Sequence, residues 1–181
     1  MLKVAIVGNI AAGKTTVEKI LLEKGYKVFD TDNIAHKLLN NNPDVELLFG
    51  TTNRKDLAKI VFEDKQKLEE LEKIIHPLVK KELENIFSKD FDIVFISVPQ
   101  LFEAGFESMF DKILFINADK DLRKKRLIAR NNLTIEEAEK RIKAQGNETE
   151  KIKKSDYVIE NNLDLSNLRI QLEGFLTTLT N

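Results

Sequence analysis

The sequence contains no cysteine, only three prolines and seven glycines, and a formal net charge of −1. Without cysteine there can be neither a disulfide framework nor a zinc–thiolate site. With 29 basic against 30 acidic residues, nothing in the charge balance favours nucleic acid or an anionic membrane as the main partner. No apolar run approaches the roughly 18 residues that suggest a membrane span. Prolines and glycines are scattered, so no linker divides the chain. Residues 1–12 are apolar but carry only Lys3, with no small-residue cleavage pattern after them. They read as a buried strand rather than a signal peptide, and a cytoplasmic location is expected. What remains is an ordinary globular composition: 181 residues, 42% hydrophobic and 33% charged, enough for one substantial core.

Short β-branched apolar runs at Leu2 to Val7, Tyr26 to Phe29, Ile93 to Val98, Ile113 to Asn117 and Tyr157 to Ile159 read as buried strands. Helical stretches separate them. Lys14 to Glu23 places Val17, Ile20 and Leu21 on one face and stops at Gly25. Gln66 to Phe87 carries an apolar stripe of Leu68, Leu71, Ile75, Leu78 and Leu83. His76-Pro77 lies inside it, and Pro77 should kink or break the helix. Asp119 to Asn131 and Thr134 to Gln145 form a helical hairpin. Its second helix opens on Thr134 and Glu137 at capping-box spacing and ends before Gly146. The alternation of strand and helix predicts an α/β fold, a doubly wound, parallel five-stranded sheet with helices on both faces.

Gly8-Asn9-Ile10-Ala11-Ala12-Gly13-Lys14-Thr15 satisfies G-x-x-x-x-G-K-[ST] at every position, between a strand and a helix. Its glycines let backbone N–H groups turn inward on phosphate oxygens, and the helix adds the positive end of its dipole. Lys14 can reach the β- and γ-phosphates, and the Thr15 hydroxyl can ligate Mg²⁺. The pattern implies nucleoside triphosphate binding but leaves the phosphoryl acceptor open. Asp30 and Asp32 follow the second strand, where ligands of open α/β sheets bind. A carboxylate there can accept a hydroxyl proton or hold Mg²⁺ through water; alternatively, Asp32 caps a helix beginning at Asn33. Glu103, past the third strand, is either a second candidate or a solvated loop acid. His76 is either turned into a cleft or structural. Arg123, Arg126 and Arg130 share one helix face, which is either a solvated basic face or the underside of a lid over phosphate. On the lid reading, the hairpin should be more mobile without ATP.

Taken together these residues resemble the dephospho-coenzyme A kinases, a family of P-loop kinases. After the P-loop, Phe29-Asp30-Thr31-Asp32-Asn33-Ile34-Ala35 is similar to the family's D-x-D-x-I-A stretch. Arg54 to Leu57 and Val61-Phe62 precede Leu71-Glu72-Lys73-Ile74-Ile75-His76-Pro77, which resembles L-E-x-I-x-H-P. Val98 to Glu103 resembles V-P-L-L-F-E. Arg126 to Arg130, then Arg141 to Gln145, match the lid, and Asp156 to Asn161 resembles the closing strand. The resemblance implies a single domain over 1–181, with residues 33–90 as a helical acceptor-binding region and 119–150 as the lid. It implies ATP as phosphoryl donor with Mg²⁺, and the ribose 3′-hydroxyl of dephospho-coenzyme A as acceptor.

On this resemblance Asp32 is the general base, Lys14 offsets charge on the transferring group, and Arg130 clamps from the lid. ATP contacts are expected from Asn9, Ile10, Ala11, Ala12, Gly13, Lys14, Thr15 and Thr16, joined by Arg126 and Arg130. His76, Leu101, Phe102 and Glu103 join Asp32 around the acceptor. The sequence departs from the family at several places. Gln100 stands where leucine is usual, Asn53 where aspartate is frequent and Leu163 where glycine is usual; Asn9 and Ala11-Ala12 replace more glycine-rich residues. Two alternatives stay open: a kinase of the same fold acting on a nucleoside monophosphate or sugar acid, and a non-catalytic nucleotide-dependent regulatory module. The absence of N/T-K-x-D and of D-x-x-G after a strand argues against a GTPase.

Overall fold

The computed structural model describes residues 1–180. Five strands form one sheet: β1 (Leu2–Gly8), β2 (Lys27–Asp30), β3 (Ile93–Ser97), β4 (Lys112–Asn117) and β5 (Tyr157–Glu160), in the order β2-β3-β1-β4-β5. β1 pairs in parallel with β3 and β4, and β4 with β5. Parallel strands need both faces covered, so their sequences run apolar without alternation. β1 shows this: Val4, Ala5, Ile6 and Val7 are all essentially inaccessible. The five strands expected from the sequence are present to within a residue or two at each end.

The chain divides into two compact units, one of residues 1–29 with 91 onward and one of residues 30–90. In the first unit, helix α1 (Lys14–Glu23) lays Val17, Ile20 and Leu21 on the sheet. Beside it lies a C-terminal helix, Leu165–Thr180, not expected from the sequence. Its Leu168, Leu172, Phe175 and Leu176 recur at helical spacing and join the same core. Tyr157 of β5 meets Phe175 with ring centroids 5.0 Å apart.

The second unit is helical throughout: α2 (Thr31–Leu39), α3 (Pro43–Phe49), α4 (Arg54–Glu63) and α5 (Lys65–Phe87). Each opens on a local side-chain cap, from Asp30, Asn42, Asn53 and Asp64 respectively. Such caps satisfy N–H groups that the first helical turn leaves without partners. Of the kink or break expected at His76-Pro77, the break does not occur: α5 runs 23 residues with Pro77 inside. Ile75, Val79, Leu83 and Ile86 are buried along its length. That stripe spans both sides of the proline, and its burial outweighs the lost hydrogen bond.

The first unit also carries the expected hairpin, α6 (Lys120–Asn131) and α7 (Ile135–Lys143), turning at Asn132 with φ 51°. The capping box is formed, with Thr134 and Glu137 bonding reciprocally. The backbone N–H of Thr134 holds the Glu137 carboxyl below the ordinary glutamate range. A short helix, α8 (Glu148–Lys153), follows, and the C-terminal helix is α9.

Candidate nucleotide site

β1 ends at Gly8 because nothing larger fits. A Cβ there would stand 2.5 Å from the Ile116 carbonyl oxygen of β4. The chain then loops back to begin α1 at Gly13, whose φ of 107° favours glycine. Gly13 is the N-cap and has no side chain to occupy the helix's amide end; no acid lies in the first turn. The positive pole of α1 therefore faces a cavity without a carboxylate to compete for it. Lys14 Nζ donates to the Gly8 carbonyl at 2.8 Å, spanning the loop from within.

This cavity, about 320 Å³, is lined by Asn9, Ala11, Gly13, Lys14, Thr15, Thr16, Arg126 and Arg130. Eight of the ten residues expected to contact ATP thus line it, and Ile10 and Ala12 do not. The N–H of Ala12 donates to Asn9 O within the loop, and its side chain is fully buried. The N–H of Ile10 donates to Gln145 Oε1 at 2.5 Å. Both N–H groups are already engaged, so Ile10 and Ala12 shape the loop instead of facing the cavity.

The arginines also separate. Arg123, which spacing places on one face with Arg126 and Arg130, is only 2% exposed. It donates to Ala118 O at 2.8 Å and to Glu148 Oε2 at 2.7 Å. It ties α6 to α8 and belongs to the scaffold. Arg126 donates from Nη2 to the Asn161 carbonyl at 3.0 Å, while its Nη1 is buried with no hydrogen-bond partner. A buried guanidinium nitrogen without an acceptor is costly unless an anion completes it, and this one borders the cavity. Arg130 is exposed, its Nε bonded to Asn131 Oδ1 at 2.9 Å.

Asn161, just past β5, has a structural role that sequence spacing did not reveal. Its Nδ2 donates to Ala12 O at 2.7 Å, and a Cβ on Gly13 would lie 2.2 Å from it. The amide braces the phosphate loop from the edge of the sheet. Its only sequence signal is a polar residue at the mouth of a buried strand. A second cavity of about 240 Å³ shares Gly13, Thr16 and Arg126 with the first and adds Asn161, Leu163, Leu165 and Leu168. One side of it is thus apolar.

Phe102 and Glu103 line a third cavity of about 180 Å³, with Asn147, Glu150, Lys151 and Lys154 of the α8 region. Lys151 Nζ meets Glu103 Oε1 at 2.5 Å, and Lys154 Nζ sits 5.8 Å from the Phe102 ring centroid. Glu103 is therefore paired, not a free loop acid. Leu101 is fully buried and can shape this wall only from behind. Asp32 and His76 lie in the helical unit. Asp30 caps α2, accepting from the Asp32 N–H at 2.8 Å and from Asn33 Nδ2 at 3.3 Å. The capping role considered for Asp32 thus belongs to Asp30, and Asp32 is an exposed residue of the first turn. His76 is half-buried at the middle of α5.

A glycine-framed loop at a helix N-terminus, on this sheet and beside an arginine-bearing helical arm, defines a phosphotransferase of the P-loop class. Comparison with known proteins narrows the class. The family model for dephospho-CoA kinase matches residues 2–167, and the chain belongs to that family. The dephospho-CoA kinase of Fusobacterium nucleatum is 40% identical over 97% of this chain and 97% of its own. The crystal structure of TT1252 from Thermus thermophilus superposes with a TM-score of 0.87 at 35% identity, covering 99% of this chain and 98% of that one. Dephospho-CoA kinase from Campylobacter jejuni gives a TM-score of 0.75 at 29% identity over 98% and 96%. Among the described residues no helix is long and apolar enough to cross a membrane.

Proposed function

We propose that this chain transfers the γ-phosphoryl group of ATP to the ribose 3′-hydroxyl of dephospho-coenzyme A, yielding coenzyme A and ADP, the final step of coenzyme A biosynthesis. The observation that carries this reading is the family match along almost the whole chain, joined to an intact phosphate cavity. The triphosphate occupies that cavity, with its β- and γ-oxygens on Lys14 and the amide end of α1. Arg126 Nη1 gains in phosphate the acceptor it lacks. The purine lies toward Leu163 and Leu165 in the adjoining cavity. Arg130 meets the equatorial oxygens as charge builds on them.

The acceptor hydroxyl attacks the γ-phosphorus, forming the new O–P bond as the bridging P–O bond to ADP breaks. The carboxylate of Asp32 takes the hydroxyl proton. Residues 33–90 act as the helical acceptor-binding region, with His76 among its contacts; in the sheet unit Phe102 and Glu103, with buried Leu101, are the acceptor contacts of this reading. Residues 119–150 act as the lid. The described residues hold no cluster of three or more His, Asp or Glu that could cage a metal. Mg²⁺ keeps waters and phosphate oxygens and takes few protein ligands; Thr15, on the cavity wall, would be its protein ligand. Bound there, the ion would supply neutralisation of phosphate charge.

Coupled turnover assays with dephospho-coenzyme A, nucleoside monophosphates and gluconate test the assignment, and turnover is expected with the first alone. Asp32→Asn should lower kcat by at least about a hundredfold while ATP affinity, read by titration calorimetry, stays nearly constant. Near-normal turnover in that variant would remove Asp32 from the mechanism.

A further inference from the structure

We infer that Gln145 and Ile10 form a seat fixing the lid hairpin on the phosphate loop, which makes Gln145 a positioning residue for Arg126 and Arg130. The hairpin has a small core of its own in Leu127, Ala138 and Ile142, and the loop residues Ile10 and Ala11 pack against it. Gln145, two residues past α7, completes the contact by accepting the Ile10 N–H. Residues separated by 135 positions in the chain are thus joined by one apolar patch and one polar pin. Two variable positions of the G-x-x-x-x-G-K-T pattern meet the lid core, and Ile10 does so without lining the phosphate cavity.

The geometry of α6 explains why this matters to the reaction. Successive helical residues are about 100° apart, so burying Leu127 fixes the rotation of the helix. Arg126 immediately precedes Leu127, and Arg130 follows it by three residues. Their direction over the cavity is set by how firmly Leu127 is seated. Ala11 contributes to both surfaces, lining the cavity and touching the lid core; its φ of 60° is a left-handed conformation rare for a residue with a side chain. The seat therefore couples the shape of the loop to the placement of the clamp. The kinetic consequence rests on the phosphotransferase reading above; the contact itself does not.

The test uses the full chain carrying Gln145→Met, which keeps the length but removes the acceptor, and separately Ile10→Ala, which shrinks the apolar patch. Each should lower kcat by about tenfold, the rate equivalent of one intramolecular hydrogen bond for Gln145→Met and of lost apolar contact for Ile10→Ala. KM for the acceptor should stay within about twofold, since the lid arginines serve the transferring group. Without nucleotide, amide exchange over residues 120–143 should accelerate while exchange in the sheet stays unchanged. A shift in melting temperature with unchanged kcat would make Gln145 merely structural, and unchanged exchange over the lid would remove the seat; either result overturns the inference. If Gln145→Met fails to fold, Ile10→Ala decides alone by the same two readouts. The exchange measurement needs no acceptor. Absence of turnover with dephospho-coenzyme A in the unsubstituted protein would therefore defeat the proposed function without touching the seat.

Discussion

The phosphate loop and the four helices of residues 30–90 are stabilised by opposite strategies. In the helical unit each helix start is fixed by its immediate neighbour. Asp30, Asn42, Asn53 and Asp64 each bond N–H groups two or three residues ahead. In the loop the fixing groups come from the far end of the chain: Gln145 holds Ile10 and Asn161 holds Ala12, across 135 and 149 residues. Local caps are replaceable one at a time, and losing one affects one helix. Long-range braces make the loop's shape a property of the folded sheet, so a change at Asn161 reaches the phosphate cavity directly. A binding loop needs that rigidity because amides aimed at phosphate gain most when they need no reorganisation.

Gly13→Ala should break the comparison most severely. The new Cβ would meet Asn161 Nδ2 at 2.2 Å, and φ at 107° disfavours any side chain. Left-handed strain and overpacking together predict a loss of about 2–5 kcal/mol, seen as a large drop in melting temperature with ATP binding abolished in calorimetry. Asn161→Ala should cost less, about 1–3 kcal/mol, by leaving the Ala12 carbonyl without its donor. It should also weaken ATP by roughly tenfold, one hydrogen bond's worth of loop order. The double variant sharpens the test. Removing Asn161 removes the atom the new methyl strikes, so the two losses should sum to less than their separate values. Strict additivity would mean that Asn161 does not brace Gly13.

The same contrast explains what the sequence disclosed. Strands, α1, the capping box and the phosphate loop were legible because local spacing determines each of them. Apolar runs mark buried strands, and the G-x-x-x-x-G-K-T spacing leaves the backbone little choice. Arg123 was misplaced because its i, i+3, i+7 relation to Arg126 and Arg130 gives a shared face but not what covers it. Glu148, 25 residues later, decides that. Pro77 left a kink or a break open because propensity is local, and only the packing of α5 excludes the break. Asp30, the last residue of β2, and Asp32 are both plausible caps. Only the immediate passage from strand to helix at Thr31 assigns the cap to Asp30. Gln145 could be placed on the lid from resemblance, but its bond to Ile10 has no trace in either segment. The C-terminal helix was readable from its stripe of Leu168, Leu172, Phe175 and Leu176 and was simply not expected.

The smallest effects belong to the locally capped unit, where the comparison can fail most cleanly. Asn53 accepts the Lys55 and Asp56 N–H groups at 2.9 and 3.4 Å and so begins α4. Asn53→Ala removes both bonds and should cost about 1 kcal/mol in chemical denaturation, with ATP affinity unchanged. Asn53→Asp restores the acceptor and adds a negative charge at a helix start where Arg54 and Lys55 oppose the helix dipole and Asp56 is the acid of the first turn. It should therefore match or exceed the parent's stability by a few tenths of a kcal/mol, most visibly at low ionic strength. The parent's asparagine keeps the cap and forgoes the charge. If Asn53→Ala weakened ATP binding as Asn161→Ala does, the cap would act beyond its own helix, and local and long-range fixing would no longer be separable in this protein.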